Sequence, residues 1–322
     1  MNETQSVVLT DFEPEQKRFR DEVLAGLARE PRTLPCKYLY DQRGSELFEQ
    51  ICELPEYYPT RTELRLMEAR GQEMAETLGP QVVLIEYGSG SSAKTRVLLE
   101  ALADPVAYVP VDISRDPLVR SARSLDRRHP RLEVLPVWAD FTQVFTLPSP
   151  RRTPRRRIVY FPGSTIGNFD PPEVVAFLAR IAALVGPGGG LIIGVDLLKD
   201  SRTLQAAYDD AQGVTADFNK NLLSRLNREL GADFDLEAFE HRAVVNEVLG
   251  RVEMHLVSRL RQEVRVCGER FSLAAGESIH TESSYKYSLE GFAERARQAG
   301  LEVQRVWTDP QQRFSVQSLT PR

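Results

Sequence analysis

The stretch Glu86-Tyr87-Gly88-Ser89-Gly90-Ser91-Ser92 sets two glycines between the apolar run Val82-Val83-Leu84-Ile85 and a helical pattern, Lys94 to Leu102. Glycines at such a turn let the backbone approach a ligand without a Cβ clash, and a helix N-terminus attracts anionic groups. Alone, the spacing is equally a plain structural turn, and Gly88-x-Gly90-x-x-Ala93 also satisfies the dinucleotide fingerprint. Two carboxylates turn the reading toward a nucleoside. Asp112 ends the next strand-like run, where an acid can hydrogen-bond ribose hydroxyls. Asp140 follows the third run, in Trp138-Ala139-Asp140-Phe141, beside an aromatic ring suited to adenine. Lys94 can neutralise a ligand carboxylate or simply be solvated.

A second group of residues could meet a polar substrate. The fourth strand-like run is followed by Phe161-Pro162-Gly163-Ser164-Thr165-Ile166-Gly167-Asn168-Phe169, a glycine-rich segment that can offer backbone, hydroxyl and amide groups. Glu282 and Ser284 are two apart, so in an extended segment both point to one side and suit a ligand with N–H donors. A polar surface strand is the plainer alternative for that pair. Tyr40-Asp41 and Tyr57-Tyr58-Pro59 set aromatics beside turn residues, where core packing competes with a binding role. Met254 alternates with Val252 and Leu256 and so lies on an apolar face. The four histidines, 129, 241, 255 and 280, share no ligand spacing, and the three cysteines, Cys36, Cys52 and Cys267, form no CxxC pair, so no metal is expected. No Ser/His/Asp arrangement can be assembled.

These residues need a scaffold. Strand-like runs at Val82–Ile85, Val106–Val111, Leu132–Val137, Ile158–Phe161 and Leu191–Val195 alternate with helical segments, Pro171 to Val185 among them. That rhythm predicts an α/β fold with a doubly wound, Rossmann-like parallel sheet. Thr203 to Leu230 reads as helix, Arg242 to Val266 as a β-hairpin turning at Gly250, and the chain ends with a helix and two strands close enough to pair. By analogy, a C-terminal antiparallel hairpin on such a sheet is the mark of the class I methyltransferase fold. Residues 12 to 79 read as helices and polar loops. The 322 residues, 42% hydrophobic, can bury one large core plus a smaller one, and a net charge of −5 gives no reason to expect nucleic acid. No apolar run reaches the roughly 18 residues of a membrane span. The N-terminus lacks signal-peptide character, so a cytoplasmic protein is expected. The oligomeric state stays open, the monomer being the simpler expectation.

The blocks KYLYDQRGSELFEQICELPEYYPTRTE, EYGSGSSAKT, FPGSTIGNF, DLLKD with AYDDAQGVTADFN, and HTESSYKYS, in this order over nearly the whole chain, resemble the histidine Nα-methyltransferases of ergothioneine biosynthesis. The resemblance implies a methyltransferase domain (62–198 and 287–322) and a mixed α+β substrate-binding domain (1–61 and 199–286). It implies S-adenosylmethionine as methyl donor, S-adenosylhomocysteine as product, and three successive methylations of L-histidine to hercynine. Gly88, Lys94, Asp112, Asp140 and Phe141 would hold the cofactor; Asn168 and Tyr208 would hold the substrate carboxylate. Tyr57 and Gly163 would lie near the α-amine, while Tyr40, Met254, Glu282 and Ser284 would surround the imidazole. Tyr38 and Pro162 depart from the tryptophan and leucine common in the family. A tryptophan-type amine methyltransferase, a catalytically silent cofactor-binding subunit and a nicotinamide dehydrogenase are the competing readings.

Overall fold

The computed structural model describes residues 7–12, 16–90 and 93–322, and these divide into two compact units. The first holds residues 59–198 and 287–322 together with the described residues 7–12. Its centre is a nine-stranded sheet. Across the sheet the strands run Thr10–Asp11, Val137–Trp138, Ala107–Asp112, Val82–Tyr87, Arg156–Phe161, Gly190–Asp196, Phe314–Pro321 and Leu301–Thr308, with Glu133–Val134 beside Ala107–Asp112. All pairings are parallel until Phe314–Pro321, which lies antiparallel to both its neighbours. The final strand is therefore inserted inside the edge strand of its own hairpin, the class I methyltransferase arrangement. Every residue of Val82–Tyr87, Ala107–Asp112 and Gly190–Asp196 is buried, as strands covered on both faces require.

Pro171–Val185 buries Val174, Phe177, Leu178, Ile181 and Val185 on one face; Asp170 caps its start and Gly186, at φ 65°, follows its end. Two details differ from the sequence reading. Thr10–Asp11 pairs with Val137–Trp138, so the described residues 7–12 belong with the large sheet and not with the substrate-side segment assigned 1–61. The run Leu132–Val137 is broken into two short strands, Glu133–Val134 and Val137–Trp138, around Pro136, which has no N–H to give a ladder.

The second unit comprises the described residues 16–58 together with 199–286. A four-stranded sheet runs Arg32–Thr33, Ser278–Tyr285, Arg251–Ser258, Phe239–Asn246, and a separate hairpin joins Gln262–Val266 to Glu269–Leu273. The span Arg242 to Val266, read as one hairpin, holds three strands: the hairpin turning at Gly250 and the first strand of the next hairpin. The single helix read over Thr203 to Leu230 is two, Ser201–Tyr208 and Val214–Leu230. Asp210 causes the break: its carboxylate accepts from the Val214 and Thr215 amides at 3.0 and 2.8 Å and starts a new helix, and Gly213 makes the turn at φ 76°. Gln42–Glu53, inside the stretch read as turn-rich, is a helix capped by Asp41, which accepts from the Gly44 amide at 2.8 Å. Among the described residues no helix is long and apolar enough to cross a membrane.

Candidate active site

In the first unit the strand order reverses between Ala107–Asp112, Val82–Tyr87 and Arg156–Phe161, and ligands of such sheets sit beyond the carboxyl ends of those strands. Gly88 and Gly90 adopt φ 72° and 31°, a region that side chains resist. Ser91 and Ser92 lie outside the described residues. Asp112 is buried, and its two carboxylate oxygens accept from the Gly90 amide at 3.3 Å and the Ser114 amide at 2.8 Å. Burial pushes its carboxyl up while these backbone donors oppose the shift. Asp140 folds into an Asx turn, accepting from the Thr142 amide at 2.9 Å and its hydroxyl at 2.5 Å. The Phe141 ring stacks on Tyr87 with centroids 5.6 Å apart and planes 8° apart, and would lie 3.9 Å from a Cβ at Gly88. That is an ordinary contact, so the left-handed φ, rather than crowding by the ring, is what calls for glycine at 88.

Sequence reasoning passed over two carboxylates here. Glu86 is buried beneath the loop, accepting from Thr95 Oγ1 at 2.7 Å and from the Tyr108 hydroxyl; burial raises its carboxyl to about 8. Glu63, wholly buried, accepts on Oε2 from Lys94 Nζ at 2.5 Å and from the Gly163 amide at 2.9 Å. It thereby ties the helix after the glycine loop to the loop after Arg156–Phe161. Nothing in the residue types around Glu63 signals this; for Glu86, an acid closing an all-apolar strand was a signal. Gly163 turns at φ 77° and Ser164 at 61°. The Ser164 hydroxyl accepts from the Asp196 amide at 2.9 Å, and Thr165 Oγ1 donates to the Pro162 carbonyl at 3.0 Å. The Thr165 hydroxyl is spent on the turn and the buried Ser164 hydroxyl holds the end of strand Gly190–Asp196; Asn168, half-buried at the end of the following 3-10 turn, is the side chain of the three left from that expectation.

In the second unit the remaining residues converge on strand Ser278–Tyr285. Met254 pairs with Glu282 but His255 pairs with His280, so Thr281 is an extra residue in a β-bulge. The bulge shifts the alternation by one and turns Glu282 and Ser284 inward with Ile279. Thr281 Oγ1 fixes it, within 2.6 Å of Asn219 Oδ1 and 3.0 Å of the Met254 carbonyl. Glu282 is buried, and among the described residues its Oε2 has no hydrogen-bond partner. Burial lifts its carboxyl to about 7, with the Lys286 charge pulling the other way. Ser284 Oγ lies 2.7 Å from the Tyr208 hydroxyl, and Lys286 Nζ donates to both oxygens at 2.8 Å.

Tyr208 is held by its backbone as well. Asn219, with Oδ1 taken by Thr281, offers its amide N–H to His241 Nδ1 at 2.9 Å, so His241 Nε2 carries the proton and donates to the Tyr208 carbonyl at 2.9 Å. Burial holds His241 below its usual value, consistent with the neutral ring. Tyr57 meets Tyr208 edge-on at 6.3 Å, and Tyr40 packs edge-on against Phe48 and Phe218. Burial raises the hydroxyls of Tyr40 and Tyr57 well above their usual value. Lys286 escaped the sequence reading, although the same alternation that pairs Glu282 with Ser284 reaches it two residues on.

A family model described as histidine-specific methyltransferase, SAM-dependent, matches residues 19–321. The chain belongs to this family. It is an S-adenosylmethionine-dependent methyltransferase. The chain is 43% identical over 298 residues to a histidine N-alpha-methyltransferase of Mycolicibacterium smegmatis, covering 90% of this chain and 91% of that one. It is 42% identical to the histidine N-alpha-methyltransferase of Mycobacterium tuberculosis, with the same two coverages. An ergothioneine biosynthesis protein of Neurospora crassa is 32% identical over 286 residues, 86% of this chain and 32% of that larger protein. Members of the family take S-adenosylmethionine, and the first unit's positive-φ glycine loop, buried Asp112 carboxylate and Phe141 ring fit the ribose and adenine of its adenosine part.

Proposed function

We propose that this protein transfers methyl groups from S-adenosylmethionine to the α-amine of L-histidine, three times in succession, giving hercynine for ergothioneine biosynthesis. The observation that carries the substrate is Glu282. A buried carboxylate oxygen without a partner is costly, and it becomes favourable when a ligand N–H fills it. Imidazole always has such an N–H, and Ser284 lies on the same strand face. We assign residues 59–198 and 287–322 to cofactor binding and residues 14–58 and 199–286 to substrate recognition. Gly88, Lys94, Asp112, Asp140 and Phe141 hold the cofactor in this reading. Tyr208 and Asn168 address the carboxylate; Tyr57 and Gly163 address the amine; Tyr40, Met254, Glu282 and Ser284 address the ring.

S-adenosylmethionine supplies an electrophilic methyl on a sulfonium. The protein's task is to present an amine lone pair in line with it. An α-ammonium has none and must first shed a proton. Tyr57 is no base for this, because burial keeps its hydroxyl protonated. It orients the neutral amine, and the proton leaves to water. The rings of Tyr40, Tyr57 and Tyr208 offer faces to the cation that grows with each methylation. The test is a time course with histidine and isotopically labelled methyl donor, followed by fragment mass spectrometry. Label appearing on the α-nitrogen as one, two and then three methyl groups supports the reading; label on the ring, or none, defeats it.

A further inference from the structure

We propose that Asn219 is a positioning residue of the substrate site, holding with one side-chain amide both the bulge that turns Glu282 inward and the main chain of Tyr208, an inference that rests on the histidine reading of those two residues. Asn219 lies on helix Val214–Leu230 and is wholly buried; Thr281 is 1% exposed. Asn219 Nδ2 lies 3.1 Å from the His255 carbonyl oxygen and 2.9 Å from His241 Nδ1, and Oδ1 lies 2.6 Å from Thr281 Oγ1. A carbonyl only accepts, so His255 fixes which way round the amide sits; flipped, it would set two acceptors against each other. The protons along the chain follow from that one carbonyl. One N–H of Asn219 goes to His255 and the other to His241 Nδ1, which is therefore bare. His241 carries its proton on Nε2 and donates to the Tyr208 carbonyl at 2.9 Å. On the other side Oδ1 only accepts, so Thr281 gives it the hydroxyl proton. No other side chain of this length offers two N–H donors and an acceptor.

The bulge decides which residues of strand Ser278–Tyr285 face the substrate. Leu256 pairs with Ile279 and Met254 with Glu282, leaving Thr281 in excess. Were the strand to run on from Ile279 without the bulge, Met254 would oppose Thr281 and Val252 would oppose Ser283. Opposed residues of an antiparallel pair share a face, so Thr281 and Ser283 would then point inward and Glu282 and Ser284 away. The carbonyls on either side of the register shift, those of Met254 and His255, are met by Thr281 Oγ1 at 3.0 Å and by Asn219 Nδ2. The same amide thus fixes the direction of Glu282 through Thr281 and the place of Tyr208 through His241, and the two arms leave it by different atoms.

Calorimetry at saturating S-adenosylhomocysteine separates the arms, using histidine, β-(2-thienyl)alanine without the ring N–H, and histamine without the carboxylate. Thr281→Val keeps the shape and removes the hydroxyl. It should cut the preference for histidine over thienylalanine about ten-fold and hold the preference for histidine over histamine within about two-fold, with S-adenosylhomocysteine bound as before. Thr281→Ser keeps the hydroxyl, loses the methyl and should keep both preferences; a role in packing alone would rank these two variants the other way. Asn219→Asp keeps the shape, loses the N–H donors and should cut both preferences. In nitrogen NMR of histidine-labelled protein it should also bring a proton to the bare Nδ1 of one imidazole. Should Thr281→Val or Asn219→Asp not fold, the same spectrum of the unmutated protein decides: a bare Nδ1 on His241 upholds the directed chain, and a protonated one overturns it. An undiminished preference for histidine over thienylalanine in Thr281→Val overturns the inference alone. An unmutated protein with no such preference overturns the histidine reading of Glu282 and this inference with it.

Discussion

Glu282→Gln should stabilise the ligand-free protein and weaken its hold on histidine at once. The carboxyl is moved by burial from 4.5 to about 7. At about 1.4 kcal/mol per pH unit, the buried carboxylate is disfavoured by roughly 3 kcal/mol once fully ionised. The sign follows from the raised value. Relative to the unfolded chain, the fold favours the protonated acid; that contribution is complete below 4.5 and is lost as pH rises through about 7. Glutamine has the same shape and no titration. The stability difference between variant and unmutated protein should therefore grow across this interval and level off above it. Any constant offset from the new amide leaves the slope untouched. Denaturant unfolding at a series of pH values, without ligand, measures it. The same variant should bind histidine about ten- to a hundred-fold more weakly at saturating S-adenosylhomocysteine, since a hydrogen bond to a charged acceptor is lost. Parallel pH profiles for the two proteins would refute the reasoning.

Asp112→Asn, which keeps the side chain's shape beside Gly90 and Ser114, should weaken S-adenosylhomocysteine about ten-fold or more by calorimetry; unchanged affinity would remove Asp112 from the cofactor site. Tyr208→Phe should reduce histidine affinity far more than cofactor affinity, and histidinamide bound as tightly as histidine by the unmutated protein would defeat the carboxylate role. Glu282→Ala with Met254→Val should shift preference toward tryptophan, scored as methylated product in a histidine–tryptophan competition; a retained preference for histidine would mean Glu282 does not face the ring.

The sheet was legible because its strands are apolar runs punctuated by glycine turns, and helix Pro171–Val185 because cap, prolines and glycine stop agree. Boundaries set by side-chain hydrogen bonds were not. Asp210 splits a continuous helical pattern by claiming two amides, and Thr10–Asp11 is too short a strand to leave any periodic trace. Within the site, glycine loop and strand-end aspartates announce themselves by type and place. Ser164 and Thr165 have the same outward chemistry as binding residues, and only coordinates reveal that the first hydroxyl holds the Asp196 amide of the neighbouring strand and the second closes the turn. Glu63 lies 31 residues from Lys94 and 100 from Gly163, distances over which sequence carries no pairing signal. The bulge at Thr281, which turns Glu282 inward, depends on Asn219 in a distant helix.

Selection of histidine over the other amino acids is what we propose for this methyltransferase. A single reaction containing equal amounts of all the common amino acids and limiting S-adenosylmethionine, analysed by mass spectrometry, tests it most directly. Methylated histidine should be the dominant product, carried through to the trimethylated form. Methyl groups accumulating on tryptophan or another amino acid, with histidine left unmodified, would contradict it.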